Sequence, residues 1–199
     1  MKKILFIFLT ACFFFSCEKE TIVIPQQHAG RTVLAFFWAD NSLNSNLRNN
    51  IRTMMQGLQA MKDSAALLVY WDGEASDISW PEPCIVEYVT NGQGGINSMS
   101  KEAVNAMIAD QDMSVHDLIS IGNIRKKYPP QTSTEKTVMQ TVIGDMMSVY
   151  PSESYGIIFG SHGSGWLPTI TGTRSIGQDG GRYSSDTALI PELAEVLRT

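Results

Sequence analysis

Apolar residues along this chain come either in short continuous runs or in stripes recurring every third or fourth position. Val33, Leu34, Ala35, Phe36, Phe37 and Trp38 form an unbroken run, the pattern of a strand buried on both faces. Asp40 and Asn41 close it and suit a helix start. Leu43, Leu47, Ile51, Met55, Leu58 and Met61 then repeat at helical spacing, which predicts one apolar stripe on a helix of about five turns. Ala65 to Trp71 is a second buried strand, closed by Asp72 and Gly73, and Cys84 to Val89 is a third, shorter one. Strand, helix, strand in this order predicts a parallel pair joined by a crossover helix.

Residues 91–131 carry a weaker pattern, with a helix expected at Lys101 to Ala109 and a loop-rich stretch around Tyr128, Pro129 and Pro130. His116, between Val115 and Leu118, reads as a packed structural histidine. Thr132 and Glu135 have the spacing of a capping box, opening a helix that turns Val138, Val142, Ile143, Met146 and Met147 inward and ends at Pro151. Tyr155 to Phe159 reads as another buried strand, running directly into Gly160, Ser161, His162, Gly163, Ser164, Gly165 and Trp166. Pro191 opens a last helix, Glu192 to Leu197, of about two turns. A crossover helix with no following strand is an incomplete unit.

The amino terminus changes the picture of where this domain resides. Lys2 and Lys3 precede an apolar run from Ile4 to Phe15, too short to span a bilayer and broken by Ser16, Cys17 and Glu18. Residues 1–16 are therefore expected to be a lipoprotein signal peptide, with Cys17 the lipidated residue of an exported protein anchored to a bacterial membrane, on its outer-membrane, periplasmic or surface face. Leu9 to Cys12 also fits a cleavage pattern, but cutting there leaves Phe13, Phe14 and Phe15 on the mature end. Residues 17–31 read as a polar tether in which His28 is solvated, and residues 32–199 as one domain. Loss of Lys2 and Lys3 takes the formal charge from −5 to −7. The one basic run left is Arg125, Lys126, Lys127, so nucleic acid is not an expected partner. Cys84 is then the only cysteine inside the domain, which excludes an internal disulfide and any cysteine cluster for zinc.

The loop around His162 holds the chemistry. No lysine follows its glycines, as a phosphate-binding loop needs. Gly163 and Gly165 lack the third glycine of a dinucleotide fingerprint, and no serine has the glycines of a nucleophile elbow. What remains is one histidine after a strand, flanked by small residues that let a substrate backbone approach and leave amides free to face an anion. That suits a general base with an oxyanion donor beside it. A histidine in such a turn can equally do no more than bond the neighbouring backbone, and the motif by itself does not decide.

Four blocks in order resemble the clostripain family of cysteine peptidases: Asp40 to Leu43, Tyr70 to Gly73, Tyr155 to Trp166, and Arg174 to Asp179. The resemblance implies a caspase-like α/β three-layer sandwich with a mostly parallel sheet. It implies that His162 is the catalytic base, that the Gly163 amide donates to the oxyanion, and that a peptide or protein is cleaved after Arg or Lys by a Cys-His dyad. It also places the nucleophilic cysteine on the strand after the helix at Pro191, beyond Thr199. This chain is thus expected to be the amino-terminal portion of a longer peptidase, truncated before that strand and inactive alone. Cys84 reads as a core residue. Calcium dependence occurs in the resembled family, but no calcium-loop spacing is present, and no cofactor is required by these residues. Two other readings stay open, a non-catalytic surface lipoprotein binding peptide or glycan, and an inactive truncated product.

Overall fold

The computed structural model describes residues 29–61, 65–73, 82–163, 175–179 and 186–198. The expected signal peptide, residues 1–16, together with Cys17 and His28, lies outside the described residues. Twelve elements follow in order: β1 (Ala29–Ala39), α1 (Asn44–Ala60), β2 (Ala65–Gly73), β3 (Cys84–Val89), α2 (Lys101–Ala109), α3 (Val115–Ile121), β4 (Asn123–Lys127), α4 (Lys136–Val149), β5 (Ser152–Gly160), β6 (Ser175–Asp179), β7 (Asp186–Leu189) and α5 (Ile190–Val196). The first strand begins at Ala29, so the last residues assigned to the tether are already paired, Ala29 with Ser152 and Arg31 with Ala65 and Ser154. No helix among the described residues is long and apolar enough to cross a membrane.

Five strands form one sheet in the order β4-β3-β2-β1-β5, and β6 pairs with β7 in a separate two-stranded ribbon. The expected parallel pair is present, since β1 lies parallel to β2 and also to β5. Two antiparallel strands, β3 and β4, extend this parallel triplet on the β2 side.

The continuous apolar run of β1 is explained by its place between β2 and β5. Alternate side chains enter two different cores. Ala35, Phe37 and Ala39 join Leu47, Ile51, Met55 and Leu58 of α1 and the apolar sides of α2 and α3. Leu34, Phe36 and Trp38 join Met139, Val142, Ile143 and Met146 of α4, with Val196 of α5. Helices on both faces of one sheet make the three layers.

Several local expectations change. Met61 caps α1 rather than joining its stripe, and Met147 is turned outward on α4; each is 40% exposed. Val138 is only partly buried, and Met139 takes the fully buried position beside it. Glu135 caps α4 with no side-chain bond. Thr132 makes only a turn, its carbonyl accepting from the Glu135 amide, because the adjacent Ser133 is drawn inward to bond Asp72. The capping box lies instead at Ser114 and Asp117, where each side chain bonds the other residue's amide. The Ser114 hydroxyl and amide hold the Asp117 carboxyl below its ordinary value. This box starts α3, unanticipated from the sequence, and leaves His116 exposed rather than packed. β5 is half-buried to exposed along its length, with Ile158 42% exposed, because it has a neighbouring strand on one side only among the described residues.

The basic run Arg125, Lys126, Lys127 is β4, and internal carboxylates face it. Arg125 pairs with the buried Glu87 at 3.7 Å, Lys126 with Asp145, and Lys127 with Glu82 at 3.0 Å. Asn123 also donates to Glu87. Lysines along the outer strand also discourage edge-to-edge pairing with another chain. On the neighbouring strand the Tyr88 hydroxyl donates to the Leu118 carbonyl at 2.8 Å, and burial raises its pKa above the usual phenol range.

Candidate active site

Parallel strands β2, β1 and β5 point the same way, so their carboxyl ends share one edge of the sheet, where ligands bind in open α/β sheets. The chain leaves β1 through Asp40, Asn41 and Ser42, and leaves β5 through Ser161, His162 and Gly163. The register pairs Phe37 with Gly160, which sets these two exits side by side.

Asn41 shapes the first exit. Its Oδ1 accepts from the Leu43 amide at 2.9 Å, an Asx turn that starts the chain toward α1. Its Nδ2 donates to the Trp38 carbonyl at 2.6 Å and to Ser161 Oγ at 3.2 Å, so one side chain ties both loops together. Ser42, presented by this turn, lies with Oγ 2.9 Å from Nε2 of His162.

The backbone of the second exit is held from another side. The Gly177 amide of β6 donates to the His162 carbonyl at 2.9 Å, and Gly163 faces Ile176 in an antiparallel bridge. In an antiparallel pair, this bond pattern belongs to the widely spaced kind, in which the facing residue turns its own N–H and C=O away from the partner strand. The Gly163 amide is thereby directed away from β6. Gly177 has φ of +85°, and a Cβ there would stand 3.1 Å from two indole carbons of Trp38. Only glycine lets β6 lie so close across Trp38. That indole in turn stacks on Phe159, with centroids 5.6 Å apart. The floor of the site is thus aromatic, with the polar atoms above it.

Gly160 has its own steric reason. A Cβ at this position would come within 2.6 Å of Phe37 Cδ1 and 2.7 Å of Leu47 Cδ2. Both neighbours are buried, so neither can move freely. Gly160→Ala is therefore expected to destabilise the chain by about 1–3 kcal/mol, measured by urea unfolding, since overpacking a dense core costs on that order. An unchanged midpoint would show that the loop relaxes at no cost.

Cys84 is fully buried. It stands opposite Trp71, which stands opposite Phe37, which stands opposite Gly160. Three strand spacings of roughly 4.8 Å put it about 14 Å from the strand that carries His162. Buried and distant, it belongs to the core on the α1 face, in keeping with its reading from the sequence.

Asp72, next to last in β2, is also buried. Ser133 Oγ donates to it, Tyr70 OH lies 2.6 Å from Ser133 Oγ, and Gln131 Nε2 donates to Tyr70 OH at 2.9 Å. This network fastens the loop before α4 onto β2, which gives the Tyr70 to Gly73 block a structural role. Ser164, Gly165, Trp166 and Arg174 lie outside the described residues. A calcium ion takes six to eight oxygen ligands, and among the described residues no three His, Cys, Asp or Glu side chains converge to begin such a cage.

Of the residues singled out from sequence, His162 and Gly163 sit together at this sheet edge. Asn41, Ser42 and Gly177 were not assigned roles there. Their only signal was membership of the Asp40 to Leu43 and Arg174 to Asp179 blocks, because their partners are distant in the chain.

The sequence profile of the Clostripain family matches residues 35–199. A solved B. fragilis cysteine protease is similar at 27% identity, covering 71% of this chain and 95% of that one, with a TM-score of 0.49. A secreted C11 cysteine protease from Bacteroides thetaiotaomicron, solved with an irreversible peptide inhibitor, is similar at 25% identity with a TM-score of 0.57. That match covers 85% of this chain but spans only 39% of the Bacteroides thetaiotaomicron chain. No curated protein gives a match.

Proposed function

Since the chain belongs to the clostripain family of cysteine peptidases, we propose that it is the histidine-bearing part of an endopeptidase whose thiol lies on a segment outside these residues. In this reading His162 accepts the thiol proton, the thiolate attacks the scissile carbonyl, and the Gly163 amide donates to the oxyanion that forms. His162 then returns the proton to the leaving amine.

The carrying observation is the place of His162 at the carboxyl end of β5, an edge strand among the described residues, combined with the side on which α5 packs. Crossovers between parallel strands are right-handed. The helix α1 packs on one face and leads from β1 to β2. The last helix packs on the opposite face, against the α4 side. A right-handed crossover on the opposite face runs in the opposite direction across the sheet. A parallel strand following α5 is therefore delivered outside β5, on its open edge, with its carboxyl end one strand spacing from His162. A cysteine at that end is within reach of the imidazole. Ile158, exposed on β5 and turned to the α1 face, is the kind of side chain that a strand added outside β5 would help to cover.

The test is hydrolysis of arginyl and lysyl reporter peptides by a protein that continues beyond Thr199. Cleavage lost on alkylation of its thiol supports the reading; a protein with no thiol on the strand after α5 overturns it. Cleavage after a basic residue is the substrate preference proposed with it.

Export and lipid anchoring are proposed on Lys2, Lys3, the apolar run to Phe15 and the Ser16-Cys17 junction. Labelled fatty acid should enter the protein in bacterial culture and fail to enter Cys17→Ser. Continued labelling of that variant would move the site or remove the anchor.

A further inference from the structure

We propose that Ser42 is the positioning residue for the base, its hydroxyl accepting from Nε2–H of His162 and so leaving Nδ1 as the nitrogen that takes the thiol proton. The inference rests on His162 acting as the base.

The argument starts from the two nitrogens of a neutral imidazole, of which one carries the hydrogen and the other the lone pair. Ser42 Oγ lies 2.9 Å from Nε2. A hydroxyl can donate to a bare Nε2 or accept from a protonated one. If it donated, the ring hydrogen would sit on Nδ1, and neither nitrogen would have a free lone pair to offer a thiol. The only base-competent arrangement has Nε2–H donating to Ser42 and Nδ1 bare. Fixing a tautomer through a bond to the other nitrogen is how histidines are commonly oriented in catalysis and metal binding.

Ser42 is exposed, and a single solvent-accessible hydrogen bond contributes little unless its partner is held in place. Asn41 does the holding. Its bonds to the Leu43 amide, the Trp38 carbonyl and Ser161 Oγ fix the loop that presents Ser42 relative to the loop that presents His162. The His162 backbone is fixed independently by the Gly177 amide. With both backbones anchored, the hydroxyl and the ring meet without either having to search for the other.

The proton balance is simple. The thiol S–H bond breaks, Nδ1–H forms, and the positive imidazolium keeps Nε2–H on Ser42 throughout. Nothing is oxidised, and the hydroxyl of Ser42 neither gains nor loses a proton.

The experiment is nitrogen NMR of the His162 ring in the 199-residue chain at a pH where it is neutral, its signals identified by their absence in His162→Ala. A held tautomer gives one signal in the N–H range, assigned to Nε2, and one in the bare-nitrogen range, assigned to Nδ1. In Ser42→Ala the two signals should move toward each other as the tautomers interconvert, while Ser42→Thr should restore their separation. An unchanged separation in Ser42→Ala, or a hydrogen found on Nδ1 in the unaltered chain, overturns the proposal. Labelling of Ser42 by a fluorophosphonate also overturns it, because that would make the serine a nucleophile rather than a support. In a protein that carries the thiol, Ser42→Ala should lower kcat about tenfold with KM unchanged, a modest part of what a general base contributes. An unchanged kcat there counts against Ser42 alone, whereas unchanged turnover in His162→Ala removes the base itself, so the two failures are separable.

Discussion

His162→Ala in a protein that also carries the proposed thiol is expected to lower kcat/KM for a basic reporter peptide by roughly 10²–10⁴-fold, the range a positioned general base contributes. Most of the loss should fall in kcat. In the proposed mechanism the imidazole acts on the nucleophile's proton and on the leaving amine, while substrate binding draws on other groups. The fold should survive, because His162 is half-buried in a loop and its backbone bond to Gly177 does not involve the ring. An unfolding midpoint matching that of the unaltered protein would separate a chemical loss from a structural one. Turnover that persists at the unaltered rate in this variant would remove His162 from the mechanism.

Trp38→Ala should have the largest effect on stability, about 3–5 kcal/mol by denaturant unfolding of the 199-residue chain, the usual cost of truncating a buried aromatic. Trp38 is fully buried, its ring centroid 4.8 Å from that of Phe36 and 5.6 Å from that of Phe159. The same indole supports Gly177, so the cavity would open beneath the strand that holds the His162 carbonyl. Trp38→Phe should cost far less. It keeps an aromatic ring in the gap and removes Nε1, a buried donor with no hydrogen-bond partner among the described residues. Equal losses in the two variants would mean that ring volume is not what the site requires.

Where apolar residues ran continuously or at helical period, the strands and helices were legible from sequence. β1, α1, β2, β3 and α2 fall close to their expected positions because burial on one or two faces imposes those periods directly. The stretch 110–131 was not legible. Its helix, α3, is short and carried by a capping box at Ser114 rather than by a long stripe, and its strand, β4, is Asn-Ile-Arg-Lys-Lys, mostly polar, held by ladder bonds and by carboxylates on other elements. The Thr132 box failed for a related reason. A local bond available to that side chain lost to the burial of Ser133 against Asp72, a partner on β2.

The candidate site divides along the same line. His162 and Gly163 could be picked out from the chain because a strand, a glycine turn and a histidine are neighbours in sequence, and because the family blocks run in order. Sequence by itself therefore determined the α/β class, the strands and helices with a clear apolar period, and His162 as the residue on which the proposed chemistry centres. Only the tertiary structure decided what holds that residue. Asn41 and Ser42 come to Ser161 and His162 from 120 positions away, and Gly177 reaches the His162 backbone by lying flat on Trp38. The physical reason is one of range. Burial periodicity and turn chemistry act within a few residues, whereas the orientation of an imidazole depends on hydrogen bonds across strands that become neighbours only when β1 and β5 pair.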